Sequence, residues 1–336
     1  MAIQDAFNKA MAHVLGIEIP SQFTTPQLFK APPLVNPIDP DTLESAQDCM
    51  DDIVDFFYRQ GDPLPDIFRS VMEVNYAVGN SLTPPDHLVP IVDRLAVVAK
   101  QLPIIISEMH EMVSGGIKCL VDSDDASVEE FINGVADTHY TVLGLAARLG
   151  NNNYKTSYFG DMLRLALGPH YTEIMNGVCG EQASKFILEN EILQAIELFK
   201  SKGIDVTIIP DGSGMFVIKS AKDQIVNGEH YPAGKWLKGP KFERYKLPES
   251  IINEFKNCED LYSNIIAILR ILFTQRIVEV LLHQVNKLND YVVHLFGEEW
   301  KMNLTKRDEF LVMLADQLAS PKTIGDPARE HTTTNL

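Results

Sequence analysis

The 336-residue chain has few cysteines, and they are not arranged as the ligands of a metal site or the partners of a disulfide framework usually are. The four of them are far apart and form no Cys-x-x-Cys pair and no Cys/His cluster: Cys49, Cys119, Cys179 and Cys258. We therefore expect buried thiols in a reducing compartment, and neither a disulfide framework nor a zinc site.

The chain is also short of basic residues. Lys and Arg number 29 against 46 Asp and Glu, which gives a net charge of −17. Proteins that bind nucleic acid polymers need a basic surface to neutralise phosphates, so the charge argues against this class. A small phosphorylated ligand is not excluded, because a few local Lys or Arg residues and a divalent metal ion can hold it.

Long uninterrupted hydrophobic runs are missing as well. Residues 1–16 carry scattered charges and do not have the pattern of a secretory signal. The most apolar run, residues 264–285, is interrupted by Arg270, Arg276 and Glu279, so it fits a buried or interface helix and not a membrane span. We expect a soluble, intracellular protein with no membrane partner.

Proline, glycine and the period of the apolar residues divide the chain into four parts. Residues 1–65 form a proline-rich N-terminal arm and a helix. Residues 66–248 form the main unit, which ends in a small antiparallel β-meander at about 204–245. Residues 249–318 are helical, and residues 319–336 are a disordered tail. The predicted fold class is mainly α, with a small antiparallel β-meander and additional terminal helices.

Two helices in the middle of the main unit are predicted to form an antiparallel hairpin. The first covers residues 88–112 and is followed by a polar break that begins with Ser-Gly-Gly at 114–116. The second runs to Leu149, with Ser127 as its N-cap and Glu130 completing a capping box. Further helices are predicted over residues 65–78 and 154–202, the latter ending at Gly203.

Acidic residues lie on one face of each helix of this hairpin. Glu108 and Glu111 are three residues apart on the first helix, and Glu130, Asn133 and Asp137 are spaced by three and four on the second. Folding back would bring these side chains together, and close carboxylates cannot all stay ionised without a cation. Mg²⁺ is the first choice for oxygen ligands of this kind and Mn²⁺ the second. The alternative is that the acids form only the solvated side of a helical hairpin.

Three motifs in order resemble those of a known enzyme superfamily. Glu108-x-x-Glu111, a loop and an acidic helix ending in ADTHYTVLGLAARLG resemble the all-α nucleoside triphosphate pyrophosphohydrolases, the MazG-like and phosphoribosyl-ATP pyrophosphohydrolase superfamily. Downstream, EIMNGVCGEQASKF is similar to the superfamily's segment ending in Asn-x-Ser-Lys-Phe. The third motif, YPAGKWLKGPKFERYKLP, is similar to the Gly-Lys-x-x-Lys-x-Pro ending of bacteriophage members. The resemblance covers about residues 70–248 and implies a four-helix-bundle-type core.

The resemblance implies hydrolysis of a nucleoside triphosphate between its α- and β-phosphates, giving a nucleoside monophosphate and pyrophosphate. Mg²⁺, or Mn²⁺, would be held by five residues of the hairpin: Glu108, Glu111, Glu130, Asn133 and Asp137. Glu111 is the expected proton acceptor. The resemblance also implies a homo-oligomer, a dimer or tetramer, in the cytoplasm, or in the host cytoplasm if the protein is of phage origin.

Basic and aromatic residues of the same motifs are the expected contacts of the nucleotide. Lys185 falls within the matched downstream motif, so we expect it to act in catalysis as well as in binding. The remaining candidates for contact with the phosphates or the base are Lys235, Lys238, Arg148 and Tyr140.

The chain departs from the superfamily pattern at two positions, and this leaves other functions open. Asn133 and Gly134 stand four and three residues before Asp137, where relatives often have an acid, so either Glu130 or Asn133 would complete the metal shell. Gln182 stands where the downstream motif has asparagine. The first alternative is a nucleotide- or alarmone-binding regulator with the same fold and little catalysis. The second is a helical structural or partner-binding protein. The preferred base and sugar are not determined.

Overall fold

The structure is a computed structural model, and it is mainly helical. It describes residues 31–60, 67–78, 90–122, 124–149, 154–156, 158–211, 214–257, 265, 267–269 and 280–319. The helical fold class with a small antiparallel sheet is thereby confirmed. The predicted helix of the N-terminal part is present at Pro40–Phe57. The first 30 residues of the predicted arm and the tail from residue 320 onward lie outside the described residues.

Helices account for most of the described chain. In order they are α1 (Pro40–Phe57), α2 (Ile67–Ala77), α3 (Ile91–Val121), α4 (Asp125–Arg148), α5 (Tyr158–Leu167), α6 (Tyr171–Ala183), α7 (Ile192–Lys202), α8 (Glu249–Asn257), α9 (Val285–Phe296) and α10 (Thr305–Ala319). Short 3₁₀ helices lie between some of these elements, at Gly168–His170, Glu189–Glu191 and Glu298–Trp300. A short π-helix precedes α9, at Val280–Gln284. Gly203 ends α7 with a positive φ of 73°, as the sequence predicts.

The strands form three small antiparallel sheets. They are β1 (Tyr58–Gln60), β2 (Tyr154–Thr156), β3 (Ile187–Leu188), β4 (Val206–Pro210), β5 (Met215–Ser220), β6 (Gln224–Val226) and β7 (Glu229–Tyr231). β1 pairs with β2, the central sheet has the order β3-β5-β4, and β6 and β7 form a hairpin. Asn227 and Gly228 both have positive φ at the hairpin turn, as a two-residue turn of this twist requires. β4 and β5 belong to the predicted meander, and Trp236 further along it is bridged antiparallel to Lys219 of β5. The hairpin of β6 and β7 forms a separate sheet between them in the chain, and the sequence analysis does not predict β1, β2 or β3.

The prediction that the first hairpin helix ends at residue 112 is wrong, because α3 continues through the Ser-Gly-Gly segment to Val121. A Cβ atom built on Gly115 would lie 2.9 Å from the backbone nitrogen of Phe131, and one on Gly134 would lie 2.6 Å from Cα of Met112. These glycines therefore let the backbones of α3 and α4 approach closely. They serve helix packing and not chain reversal.

The predicted N-cap of α4 is also wrong. Asp124, in extended conformation, caps the helix, and its carboxylate accepts a 2.7 Å hydrogen bond from the backbone N–H of Ser127. Ser127 instead lies in the first turn, and its hydroxyl donates to the carbonyl of Asp124. Aspartate and serine cap helices equally well, so the sequence alone does not choose between them.

The largest hydrophobic core of the described residues surrounds α3 and α4. It joins residues from α1, α8 and α9 to the central hairpin, for example Phe57, Ile251 and Leu288 with Leu102 and Phe131. The central sheet packs on α7 around a smaller core of its own. Among the described residues, no helix combines the length and the apolar character that crossing a membrane requires.

Candidate functional site

Three of the acidic residues predicted from the hairpin, Glu108, Glu111 and Asp137, act on one another through their charges. Glu108 on α3 and Asp137 on α4 are both half-buried. Burial first, and then the charges of Asp137 and Glu111, raise the pKa of Glu108 to about 8. Burial likewise raises the pKa of Asp137 to about 7, with added repulsion from Glu181 and Glu111. Burial is the largest cause of both shifts, and a fully solvated helix face does not provide it.

A fourth carboxylate comes from the end of α6, where it was not predicted. Glu181 repels both Asp137 and Glu108, so it belongs with them. We call Glu108, Glu111, Asp137 and Glu181 the acidic cluster. Glu181 is held from the other side, because its Oε2 accepts a 2.9 Å hydrogen bond from the backbone N–H of Tyr245.

The charge of Lys185 acts on three members of the acidic cluster, Glu181, Asp137 and Glu108. Burial lowers its pKa to about 8, whereas Glu181, Asp137 and Glu108 act in the opposite direction. Its ammonium group donates a hydrogen bond to Oε1 of Gln182 and lies 5.1 Å from the ring centre of Trp236. Lys185 is therefore mostly protonated at neutral pH and can neutralise part of the cluster.

The segment before α8 brings a second cation to the cluster. The charge of Arg244 lowers the pKa of Asp137. Arg244 is held in place by its neighbours: the carbonyl of Glu243 accepts a hydrogen bond from the Ser184 hydroxyl, and the ring of Tyr245 packs on Gly177 of α6, where no Cβ would fit. Arg244 was not among the predicted site residues.

Two of the predicted metal ligands are not joined to the cluster by any described contact. Glu130 forms an ion pair with Lys118, its Oε1 2.7 Å from the Lys118 ammonium nitrogen, and both side chains are largely exposed. Asn133 is half-buried on α4. Neither residue contributes to the raised pKa of Glu108 or Asp137.

The predicted nucleotide contacts are divided between different places. Lys238 lies near Lys185, whose pKa it lowers, and its ammonium is 4.3 Å from the ring centre of Phe242. Lys235 follows the β6–β7 hairpin, and its ammonium nitrogen lies 3.7 Å from Oε1 of Glu229. Tyr140 is buried on α4 between Asp137 and Arg148, whose charges act on it in opposite directions.

The sequence contained a signal for Glu181 that motif matching passes over. Glu181 immediately precedes Gln182 and stands four residues before Lys185 in the matched segment GEQASKF. A carboxylate one turn before a motif lysine indicates a charged pair. Its proximity to Glu108 and Asp137, by contrast, depends on how α6 packs against the hairpin and has no local signal.

The acidic cluster fits a divalent cation in charge and in donor type. Hard cations such as Mg²⁺ take carboxylate oxygens, and the raised pKa values of Glu108 and Asp137 show that negative charge at these two groups favours a compensating cation. Within the described part of the chain, however, no three His, Cys, Asp or Glu side chains are close enough together to hold a metal ion. The acids therefore interact through their charges without forming a ready coordination shell.

Comparison with known proteins assigns no family to this geometry: no protein-family model, curated protein or solved structure matches the chain. The likeness of its motifs to nucleoside triphosphate pyrophosphohydrolases therefore stays a prediction. The charges and contacts of the acidic cluster are the observations from which a function has to be argued.

Proposed function

We propose that this chain is a metal-dependent nucleoside triphosphate pyrophosphohydrolase with a MazG-like four-helix core. It would cleave a nucleotide or deoxynucleotide between the α- and β-phosphates and release a nucleoside monophosphate and pyrophosphate. The observation that supports this most is the acidic cluster itself, with Lys185 among four carboxylates in a half-buried place. Phosphoryl transfer needs mainly positioning and charge neutralisation, and this set of residues supplies both.

Glu108, Asp137 and Glu181 are not close enough together to form a three-ligand group, so a metal ion would have to draw them together in order to be held, with Glu111 beside them. When bound, Mg²⁺ or Mn²⁺ would supply charge neutralisation for the phosphates and a more acidic water. Glu111 is the exposed member of the predicted α3 pair, so its carboxylate can reach a water molecule at the surface and accept its proton. Lys185, protonated at neutral pH, would bind phosphate oxygens and stabilise the leaving pyrophosphate.

Glu181 takes the place of the missing acid of the superfamily pattern in this proposal. Gly134 stands at the position three before Asp137, where the close approach to Met112 leaves no room for a side chain. Glu130, the substitute suggested by the sequence, is engaged by Lys118. Glu181 reaches the same carboxylates from α6, so the fourth acid would come from a different helix.

Product analysis with a panel of nucleoside and deoxynucleoside triphosphates in Mg²⁺ or Mn²⁺ tests the proposal. We expect equal amounts of monophosphate and pyrophosphate, and loss of this activity in Glu108→Gln and Asp137→Asn. Lys118→Met serves as the matched control, because it removes a charge from α3 outside the acidic cluster. Release of a nucleoside diphosphate and inorganic phosphate contradicts the proposal. Full activity in Glu108→Gln contradicts it as well.

A nucleotide-binding regulator is the second candidate, and one observation favours it. The described acids do not form a three-ligand group for a metal ion. A protein that binds nucleotides without hydrolysing them does not need such a group. Calorimetric binding of a nucleotide with no turnover over many hours would identify this function. Homo-oligomerisation and a cytoplasmic location stay predictions, and the mass of the protein in solution tests the first.

A further inference from the structure

An irregular segment of the chain, residues 236–247, lies along the end of α6. We call this segment the strap. Gly177, Glu181 and Ser184 are spaced by four and three residues, so they share one face at the end of α6. Each of the three contacts the strap. The opposite face of the helix, which carries Met175, is buried in the hydrophobic core. The helix is therefore enclosed between the core and the strap.

Two contacts of Tyr245 in the strap fix the side chain of Glu181. The backbone N–H of Tyr245 donates a 2.9 Å hydrogen bond to Oε2 of Glu181, and hydrogen bonds to a charged acceptor are among the stronger ones. The ring of Tyr245 lies on Gly177, one turn earlier, where a Cβ atom would be only 2.2 Å from Cε2 of the ring. The ring therefore needs a glycine at this position. The place of a charged carboxylate thus depends on a residue that has no side chain.

Ser184 attaches the strap to α6 at a second point. Its hydroxyl oxygen accepts a 3.2 Å hydrogen bond from the backbone N–H of Glu243. The hydroxyl donates its one proton either to the carbonyl of Glu181 at 2.7 Å or to that of Glu243 at 3.2 Å. Since Glu243 and Tyr245 are both attached to α6, the backbone of Arg244 between them is held as well.

The other end of the strap lies beside Lys185. The ring centre of Trp236 is 5.1 Å from the Lys185 ammonium, and the same ring packs edge to face with Phe186 at 5.0 Å between centroids. Between the two ends, Gly239 lies against Ile187, where a Cβ atom would be 2.5 Å from Cγ2. The strap therefore runs antiparallel to the segment from α6 to β3 and contacts it along its length.

We propose that the strap is a positioning element of the candidate site, in which Gly177 and Tyr245 set the place of the Glu181 carboxylate. α6 packs on α4, which carries Asp137, so a shift of Glu181 on α6 changes how the two acids can act together. The consequence for hydrolysis rests on the proposed function. Neither Gly177 nor Tyr245 touches the substrate in this proposal, and both act through Glu181.

Carboxyl footprinting tests the position of Glu181 without any substrate. The full chain is treated with a carbodiimide and glycine ethyl ester in the absence of metal, and mass spectrometry measures how fast Glu181 is labelled. We expect several-fold faster labelling in Gly177→Ala, because the added methyl group displaces the ring of Tyr245. Gly180→Ala is the matched control, since it adds the same group to the same helix where no atom lies within 4 Å.

Rates of pyrophosphate release then test the consequence for hydrolysis. Gly177→Ala should lower kcat by about 10- to 100-fold, the usual loss when a group that orients a ligand is removed. Tyr245→Phe keeps the ring and the backbone N–H, so this conservative variant should retain the activity. Tyr245→Ala should lose activity, and adding Gly177→Ala to it should cost little more, because the methyl group then meets no ring. Additive losses would show that the two residues act separately.

Melting temperatures and near-ultraviolet circular dichroism show whether each variant folds. Ser184→Ala removes only a hydroxyl and repeats the footprinting test if Gly177→Ala does not fold. The proposal is overturned if Glu181 is labelled at the unaltered rate in the folded variants, or if labelling rises while hydrolysis stays normal. If the unaltered protein releases no pyrophosphate from any nucleotide, the proposed function fails, and the labelling rates still decide whether the strap positions Glu181.

Discussion

Gly134 of α4 lies directly against Met112 of α3. A Cβ atom on Gly134 would lie only 2.6 Å from the Cα atom of Met112. The backbones of the two central helices meet at this point. The helix that carries Asp137 is thereby fixed against the helix that carries Glu108.

Substitution of Gly134 by alanine should destabilise the protein. The added methyl group forces the two backbones apart, and overpacking of this kind costs about 1–3 kcal/mol or more. Gly180→Ala on α6 is the control, since no atom lies within 4 Å of its Cβ position and alanine is the better helix former by up to about 1 kcal/mol. Urea unfolding measures both. Equal stability of the two variants would show that α3 and α4 are not this close.

Glu181→Gln should abolish most of the hydrolysis, whereas Glu130→Gln should not. Loss of a group that merely supports a metal ligand costs about 10- to 100-fold, and a ligand itself should cost at least as much. Glu130→Gln removes an exposed ion pair with Lys118, which is worth about 0–1 kcal/mol of stability. Initial rates of pyrophosphate release decide the matter. The opposite order of effects would restore Glu130 to the metal shell.

Binding of a divalent ion should release protons near neutral pH. Glu108 has a pKa of about 8 and Asp137 a pKa of about 7, so both are largely protonated at pH 6.5. Carboxylates bind metal ions in the deprotonated form, so the bound protons must leave. A pH electrode in weakly buffered protein records the release on addition of Mg²⁺. We expect less release in Glu108→Gln, and unchanged release in that variant argues against Glu108 as a ligand.

Glu73 of α2 should make the protein less stable as the pH rises. It is 5 % exposed, its Oε1 has no hydrogen-bond partner among the described residues, and burial raises its pKa to about 7 from an ordinary 4.5. A raised pKa in the folded state gives stability that is complete below pH 4.5 and is lost as the pH rises through 7.

Glu73→Gln removes this dependence without changing the shape of the side chain. We expect the melting temperature of the variant to match that of the unaltered protein near pH 4, to exceed it increasingly from about pH 5 to pH 7, and to exceed it by a constant amount above about pH 8. Glu197→Gln, at an exposed position of α7, removes the same charge and should show no such trend. A constant difference across the pH range would mean that Glu73 is not buried as a neutral acid.

The central hairpin is predictable from the sequence because its signals are local. Helical spacing places Glu108 and Asp137 on inward faces, and the apolar residues around them supply the core. Gly115 misleads, since a glycine in a helical pattern indicates either a break or a close contact, and the choice depends on the partner helix. Asp124 and Ser127 present the same difficulty at the start of α4, where both residues can cap.

The rest of the candidate site depends on contacts between distant segments. Glu181 and Arg244 reach Asp137 only because α6 and the segment before α8 fold onto the hairpin, and no spacing rule encodes this. The positions of Arg148 and Lys185 relative to each other likewise depend on tertiary packing. The sequence shows each of them only as a single basic residue within a motif segment. β1 and β2 are three residues each, too short for an alternating pattern to be recognised.

The chain has two tryptophans, and each lies beside a different charged group. Trp236 has the Lys185 ammonium 5.1 Å from its ring centre, and Trp300 has the Lys100 ammonium at 4.6 Å. Indole emission responds to nearby charge, so the unlabelled protein carries a fluorophore at each end of the hairpin face. Trp300→Phe leaves emission from the Lys185 side alone, and Trp236→Phe leaves emission from the Lys100 side. Binding of a charged ligand near Lys185 and near Lys100 can then be followed separately and in real time.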